Sequence, residues 1–274
     1  MLWPISLALV GWANVALARG ILVLPGGNKD TVTPLNELSP LRDNFQLSSR
    51  QAAPVPLRIM ALGASVTFGT GSSTGNSYRK DLRDMLVASG STVNFVGEFT
   101  NGNFTNRQVE ATPGFVISQI ADSANKETPI SMPNLVLMDA GTNNCNQGGL
   151  VPDAGANVST MIDNIFTQSP GSTVILATIL VNAQDAGQEA CRVDINTQYS
   201  AMAAQMTAQG AKLVLVDMRG PDGPTTADLA DKRHPNDVGY QKMATVWSQG
   251  IQQAVNQSLI TAAADNGLPA DGGA

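Results

Sequence analysis

Short apolar runs alternate with longer amphipathic stretches from about residue 55 to residue 260. Leu57–Leu62, Val93–Gly97, Leu135–Ala140, Thr173–Ile179 and Lys212–Asp217 have strand length and strand composition. Three of them are nearly unbroken hydrophobic runs, the pattern of strands covered on both faces rather than one. Helical patterns fall between and after them, near residues 76–89, 115–125, 153–168, 192–209 and 236–257. Five strand–helix alternations predict a parallel sheet, because right-handed crossovers return each strand to the sheet and place helices on both faces. The expected fold class is α/β, a three-layer αβα domain on a five-stranded parallel sheet.

The ends of the chain follow other patterns. Residues 1–18 are apolar and close on Ala16-Leu17-Ala18, the short core and small-x-small cleavage signal of a secretory signal peptide, although a positively charged start is missing. Pro4 and Asn14 interrupt a stretch already short for a membrane span. Residues 19–54 lack periodicity and carry Pro25, Pro34, Pro40 and Pro54, as a propeptide or flexible lead-in would. Residues 55–260 form one expected domain, and the small, acidic, Gly-rich residues 261–274 are expected to fray.

Export changes the reading of the two cysteines. In an oxidising compartment Cys145 and Cys191 are expected to form a disulfide, with two buried free thiols as the alternative. Chain entropy would make such a bridge worth about 4 kcal/mol. Sequons at Asn103, Asn157 and Asn256 are candidate glycosylation sites of an extracellular protein.

Charge and composition narrow the partners. Lys and Arg number 16 against 22 Asp and Glu, a net charge of −6, and no basic run stands out. Neither nucleic-acid phosphates nor anionic lipids would find a cationic footprint, so no nucleic-acid partner and no stable membrane insertion after leader cleavage are expected. One histidine and two cysteines are too few for the usual closed zinc ligand sets, so no metal and no cofactor are expected. The chain is expected to act as a monomer.

In open parallel sheets ligands bind outside the carboxyl ends of the strands, so residues just past those ends carry the candidate chemistry. The first strand runs into Gly63-Ala64-Ser65, and the second leads to Thr112-Pro113-Gly114-Phe115. The third ends in Gly141-Thr142-Asn143-Asn144, and the fifth leads to Asp231-Lys232-Arg233-His234-Pro235. A serine hydroxyl becomes a nucleophile when a base takes its proton, and His234 is the base available. Asp231, three residues away, can fix the imidazole tautomer and support the transient imidazolium. Pro235 keeps His234 off the following helix, although Pro235 itself suits that helix's first turn. The N–H groups of Ser65 and Gly114 and the Asn143 amide can supply an oxyanion hole. Taken singly, each has a plainer reading: a turn serine, a helix-entry glycine, a loop amide, a packing histidine. Ser73, in Gly71-Ser72-Ser73-Thr74-Gly75, matches the nucleophile-elbow pattern but lies in a polar run well past the strand, where that motif does not operate.

At these residues the chain resembles the SGNH (GDSL-type) hydrolase superfamily, whose four blocks supply Ser, Gly, Asn and His in that order. The matches are Ser65 in Gly-Ala-Ser-Val-Thr-Phe-Gly, Gly114 in Pro-Gly-Phe, Asn143 in Gly-Thr-Asn-Asn, and His234 in Asp-Lys-Arg-His-Pro-Asn-Asp. Leu57–Gly69, Tyr78-Arg79, Asn94–Gly97 and His234–Tyr240 are most similar to secreted carbohydrate esterases of family three. The resemblance implies a flavodoxin-like αβα fold and metal-free deacetylation of an acetylated polysaccharide such as xylan. Three positions depart from the pattern. Ala64 stands where an aspartate usually precedes the serine, and Asn144 where an aspartate follows the block-three asparagine. Val109–Thr112 lacks the histidines often found there. These departures motivate one alternative, a catalytically silent glycan-binding domain of the same fold. A lipid or short-chain ester hydrolase with the same triad is another.

Overall fold

A computed structural model describes residues 55–146 and 150–273. The signal peptide and lead-in assigned to residues 1–54 lie outside the described residues. In chain order the strands are β1 (Leu57–Gly63), β2 (Val93–Val96), β3 (Phe99–Thr100), β4 (Gln108–Ala111), β5 (Leu135–Asp139), β6 (Thr173–Ala177) and β7 (Leu213–Val216). The helices are α1 (Ser65–Phe68), α2 (Arg79–Ala88), α3 (Ile117–Ser131), α4 (Ala154–Gln168), α5 (Ala186–Ala208) and α6 (Asp237–Asn256).

β1 is buried along its whole length and lies at the centre of the sheet. On one side β5, β6 and β7 follow in parallel order, with Ile59 opposite Leu135 and Gly63 opposite Asp139. The other side of β1 is shared between two strands. β2 pairs with Leu57–Met60, and β4 pairs with Leu62 and Gly63. β3 runs antiparallel to β4 at the edge. All five expected strands form, and β3 and β4 are additional. β4 escapes a hydropathy reading because its Glu110 is buried, with the carboxylate accepting the Glu98 N–H at 2.8 Å and the Ser123 hydroxyl.

Alternate residues along β1 and β5 feed opposite faces, as the two-residue period of a strand requires. Ile59, Ala61, Leu135 and Leu137 join Tyr78, Leu82, Tyr240 and Trp247 under α2 and α6. Met60, Leu62, Val136 and Met138 join Ile120, Met161, Ile162, Ile195 and Tyr199 under α3, α4 and α5. The result is the three-layer αβα sandwich.

Local chemistry moves some boundaries. α5 begins at Ala186 rather than near 192, because the Asp185 side chain accepts the Gln188 N–H at 2.8 Å and caps the helix there. α6 begins at Asp237, capped by the Asn236 side chain, which accepts the Gly239 N–H at 3.0 Å. Pro235 therefore precedes the cap rather than entering the first turn, and it makes an isolated antiparallel bridge with Leu229.

The tail expected to fray is instead pinned across the amino ends of the strands. Arg58 Nη1 donates to the Ala264 carbonyl at 2.8 Å, Asn134 Nδ2 to that of Thr261 at 2.7 Å, and Asn94 Nδ2 to that of Pro269 at 2.8 Å. Arg83 meets the Asp271 carboxylate at 3.0 Å, and the Gly272 N–H donates to the Val93 carbonyl at 3.2 Å. A polar segment without a core face is ordered here because buried side chains of the domain capture its backbone.

Candidate active site

Ser65 is the first residue of α1, just past β1, and it is buried. After α1 the chain doubles back through Gly69 to Gly71. At Gly71 a Cβ would stand 2.6 Å from the Pro235 carbonyl oxygen and 3.1 Å from His234 Cβ, so only glycine lets this loop pass beneath the histidine. Tyr240 donates its hydroxyl proton to the Thr70 carbonyl at 2.6 Å and fixes the same loop to α6.

The segment carrying Asp231 and His234 is a tight loop. The Ala230 N–H donates to the His234 carbonyl at 2.8 Å, and Lys232 takes a positive φ of 74° at the bend. The Lys232 carbonyl accepts the Ala183 N–H at 2.9 Å, which ties the loop to the chain leaving β6. Asp231 Oδ1 accepts the backbone N–H groups of Arg233 at 3.2 Å and His234 at 2.9 Å. Asp231 Oδ2 lies 2.7 Å from His234 Nδ1, and His234 Nε2 lies 2.9 Å from Ser65 Oγ. A carboxylate can only accept, so it places the imidazole proton on Nδ1 and leaves Nε2 to accept from the serine hydroxyl. Burial works against ionisation of Asp231, but the hydrogen bonds from the His234 ring and backbone prevail and hold its carboxyl below the usual carboxylate range.

Gly114 and Asn143 arrive from the neighbouring strands. The Phe115 N–H donates to the Thr112 carbonyl at 3.2 Å, closing a turn with Pro113 and Gly114 at its centre. Gly114 has φ +90° with no atom near the place of a Cβ, so it is the left-handed backbone rather than crowding that calls for glycine. Asn143 lies in the 3₁₀ turn Thr142–Cys145 just past β5. Its Nδ2 donates to the Phe115 carbonyl at 2.8 Å while its Oδ1 accepts from Asn146 Nδ2 at 3.0 Å, which fixes the amide and leaves one of its two protons over. Because β4, β1 and β5 are adjacent in the sheet, their exits bring Gly114, Ser65 and Asn143 to one edge.

The positions that depart from the superfamily pattern have clear surroundings. Asn144 Oδ1 accepts the Ile117 N–H at 3.0 Å, so an amide performs the capping of α3 without a charge. Ala64 is buried in the apolar cluster that also holds Met138, Ala140 and Ile117. Ser73 is exposed in the Thr70–Ser77 loop, where its N–H donates to Asp237 Oδ1 at 2.9 Å. Cys145 and Cys191 form a disulfide with a Cα–Cα distance of 5.6 Å. Asn103, Asn157 and Asn256 are all exposed. Asn103 already accepts a hydrogen bond from Asn76 Nδ2 at 2.8 Å.

Sequence reasoning missed two supports of the site. Gly71 gave a signal only as a glycine in a polar loop. β4, which delivers Gly114, was hidden by its polar residues. Among the described residues no group of three or more His, Cys, Asp and Glu side chains is gathered so as to hold a metal ion, and no helix is long and apolar enough to cross a membrane.

Residues 61–242 match the GDSL-like Lipase/Acylhydrolase family model. Among curated proteins none matches the sequence. Among solved structures, the chain is similar to a family 3 carbohydrate esterase from Clostridium thermocellum, at 25% identity and a TM-score of 0.65, over 75% of this chain and 99% of that one. A family 3 carbohydrate esterase from Talaromyces cellulolyticus is similar at 22% identity and a TM-score of 0.63, over 73% of this chain and 99% of that one. An acetyl xylan esterase from Geobacillus stearothermophilus shares the fold at 14% identity and a TM-score of 0.56, over 72% of this chain and 95% of that one. With the family model spanning most of the domain and the four blocks gathered at one sheet edge, the chain belongs to the GDSL-like lipase/acylhydrolase family and is an ester hydrolase.

Proposed function

We propose that this esterase is secreted and removes short O-acyl groups, O-acetyl foremost, from a polysaccharide such as acetylated xylan, by way of an acyl-serine intermediate. The observation that carries the chemistry is the unbroken line from Asp231 through His234 to Ser65, with contacts of 2.7 and 2.9 Å.

In this reading Ser65 Oγ attacks the ester carbonyl as its proton passes to His234 Nε2. Asp231 holds the ring and stabilises the imidazolium without taking the proton itself. The tetrahedral oxyanion is held by the N–H groups of Ser65 and Gly114 and by the remaining Asn143 amide proton. His234 returns its proton to the leaving sugar hydroxyl, the carbonyl re-forms, and acetate stays esterified to Ser65. Water then enters, loses a proton to His234, and releases the acid as Ser65 recovers its hydrogen.

Several features support the substrate and the setting. Pro113 and Gly114 are exposed at the site, so its rim is accessible to a polymer chain. Two similar structures are carbohydrate esterases, and a third, with the same fold, is an acetyl xylan esterase. The leader-like residues 1–18 and the Cys145–Cys191 disulfide suit an oxidising, extracellular location.

The test is acetate release from acetylated xylan and from p-nitrophenyl acetate, with Ser65→Ala as control. Release from both that is lost in the control is the expected result. Release from the small ester alone would withdraw xylan. Absence of Ser65-dependent release from either by folded protein would overturn the reading in favour of a silent binding domain.

A further inference from the structure

The turn that carries Asn143 is fastened to α5 by one covalent bond and by hydrogen bonds on both flanks. Cys145, two residues past Asn143, is bonded to Cys191 of α5, and both cysteines are fully buried. On the strand side of the turn, the Tyr199 hydroxyl of α5 donates to the Ala140 carbonyl at 3.1 Å. At Gly141 a Cβ would stand 2.9 Å from that hydroxyl oxygen and 2.8 Å from Ile179 Cδ1, so the backbone presses against α5 where a side chain could not. On the far side, Gln188 Nε2 of α5 donates to the Asn146 carbonyl at 3.0 Å. Three residues of one helix, Gln188, Cys191 and Tyr199, thus hold the last residue of a four-residue turn and the backbone on both sides of it.

The other attachments of the turn lead toward the oxyanion site. Asn143 Nδ2 donates to the Phe115 carbonyl, next to Gly114, and Asn144 Oδ1 accepts the Ile117 N–H at the start of α3. Neither is covalent. An amide that donates to a developing oxyanion must be held in place before the charge appears, because a donor that has to be reoriented loses most of its benefit. A 3₁₀ turn of this length has weak internal hydrogen bonding and does not fix its own orientation. The stiffness must come from outside the turn.

The geometry points to the Cys145–Cys191 disulfide, with Tyr199 and Gln188 beside it, as a positioning device for the Asn143 amide, so that turnover as well as folding depends on the bridge. This rests on the proposed role of Asn143 in the esterase reaction. A bridge that only restrained the unfolded chain would raise stability and leave turnover unchanged. A positioning bridge acts on kcat through Asn143, and its effect is lost when Asn143 is removed.

The experiment is a double-mutant cycle on hydrolysis of p-nitrophenyl acetate by the full chain, with Ser65→Ala as the zero. One corner is Cys145→Ser with Cys191→Ser, another is Asn143→Ala, and the last combines them. The expected result is a fall in kcat of about tenfold for the serine pair with KM little changed, below its melting temperature. The combined variant should be hardly slower than Asn143→Ala alone, since groups that act together are not additive. A lowered melting temperature with unchanged kcat, or losses that multiply, would overturn the inference. If the serine pair does not fold, Tyr199→Phe combined with Gln188→Ala takes its place, with the disulfide intact. A kcat loss of a few-fold that vanishes in the Asn143→Ala background supports positioning, and no loss overturns it. If the wild-type chain itself shows no Ser65-dependent hydrolysis, it is the esterase reading that has failed, not the assignment of the bridge.

Discussion

The two ends of the same strands use polar residues in opposite ways. At the amino ends, polar side chains terminate on backbone. Arg58 Nη1 donates to the carbonyls of Ser131, Met132 and Ala264, at 3.4, 3.3 and 2.8 Å. Asn134 accepts the Arg58 N–H and donates to the Pro56 and Thr261 carbonyls. At the carboxyl ends, side chains bind one another instead. Asp231 holds His234, His234 meets Ser65, and Asn143 keeps a proton free. One end is a clasp around the tail, and the other is a relay of side chains at the carboxyl edge of the sheet. Burial differs as well: Arg58, Asn94 and Asn134 are all buried, whereas at the other end Ser65 is buried, His234 and Asn143 are half-buried and Asp231 is exposed. What sets the two ends apart is the partner: backbone carbonyls of the tail at one, the Asp231–His234–Ser65 side-chain contacts at the other.

Substitutions should therefore separate activity from stability according to the end they touch. Asp231→Asn should produce the largest loss among these variants, about 10⁴-fold in kcat, because an amide no longer selects the Nδ1–H tautomer of His234. Circular dichroism should show the fold intact. Asn143→Ala should lower kcat by about 10²–10³-fold, or about 2.7–4 kcal/mol in the barrier, with a small change in KM. Steady-state kinetics on p-nitrophenyl acetate resolve both.

At the amino ends the balance should reverse. Arg58→Ala should cost about 2 kcal/mol of stability in urea unfolding by removing charge-assisted bonds to three carbonyls, while kcat and KM stay as in the wild type. A kinetic defect in Arg58→Ala would break the division between the two ends.

A pH-dependent effect concerns Asp139, at the carboxyl end of β5. Burial pushes its carboxyl up from 3.8 to about 6, partly offset by the Arg192 guanidinium. The folded state thus binds this proton more tightly than the unfolded chain does. Its contribution to stability is fully present below pH 3.8 and is lost as the pH rises through about 6. Asp139→Asn should therefore gain stability relative to the wild type between pH 5 and 8, as measured by urea unfolding at a series of pH values. For Asp231 the sign is opposite. Its depressed carboxyl favours folding above the ordinary carboxylate range and loses that contribution as the pH falls through its folded value.

The carboxyl end was more legible in the sequence than the amino end, for a physical reason. Ser65 and Asn143 closely follow apolar runs, Gly114 sits in a Pro-Gly turn, and His234 stands three residues after Asp231 and just before Pro235. Their neighbours in sequence carry the signal. The same holds for the three layers, which follow from the apolar runs of β1, β5, β6 and β7. The clasp gave no such signal, because Arg58, Asn94 and Asn134 interrupt or flank strands and pair with residues far along the chain. A polar residue in a strand reads as exposure until its distant partner is known. β4 was hidden in the same way by buried Glu110, and Gly71 by a partner, His234, that lies 163 positions further along.

The most direct test of the account is covalent labelling with a fluorophosphonate, followed by peptide mapping of the folded protein. The reagent requires a serine activated by its base, and not simply a pocket of suitable shape. The account predicts a single adduct on Ser65, with labelling lost in His234→Ala and slowed in Asn143→Ala. No adduct on the wild-type chain, an adduct on Ser73, or labelling of Ser65 that persists at full rate without His234 would contradict it.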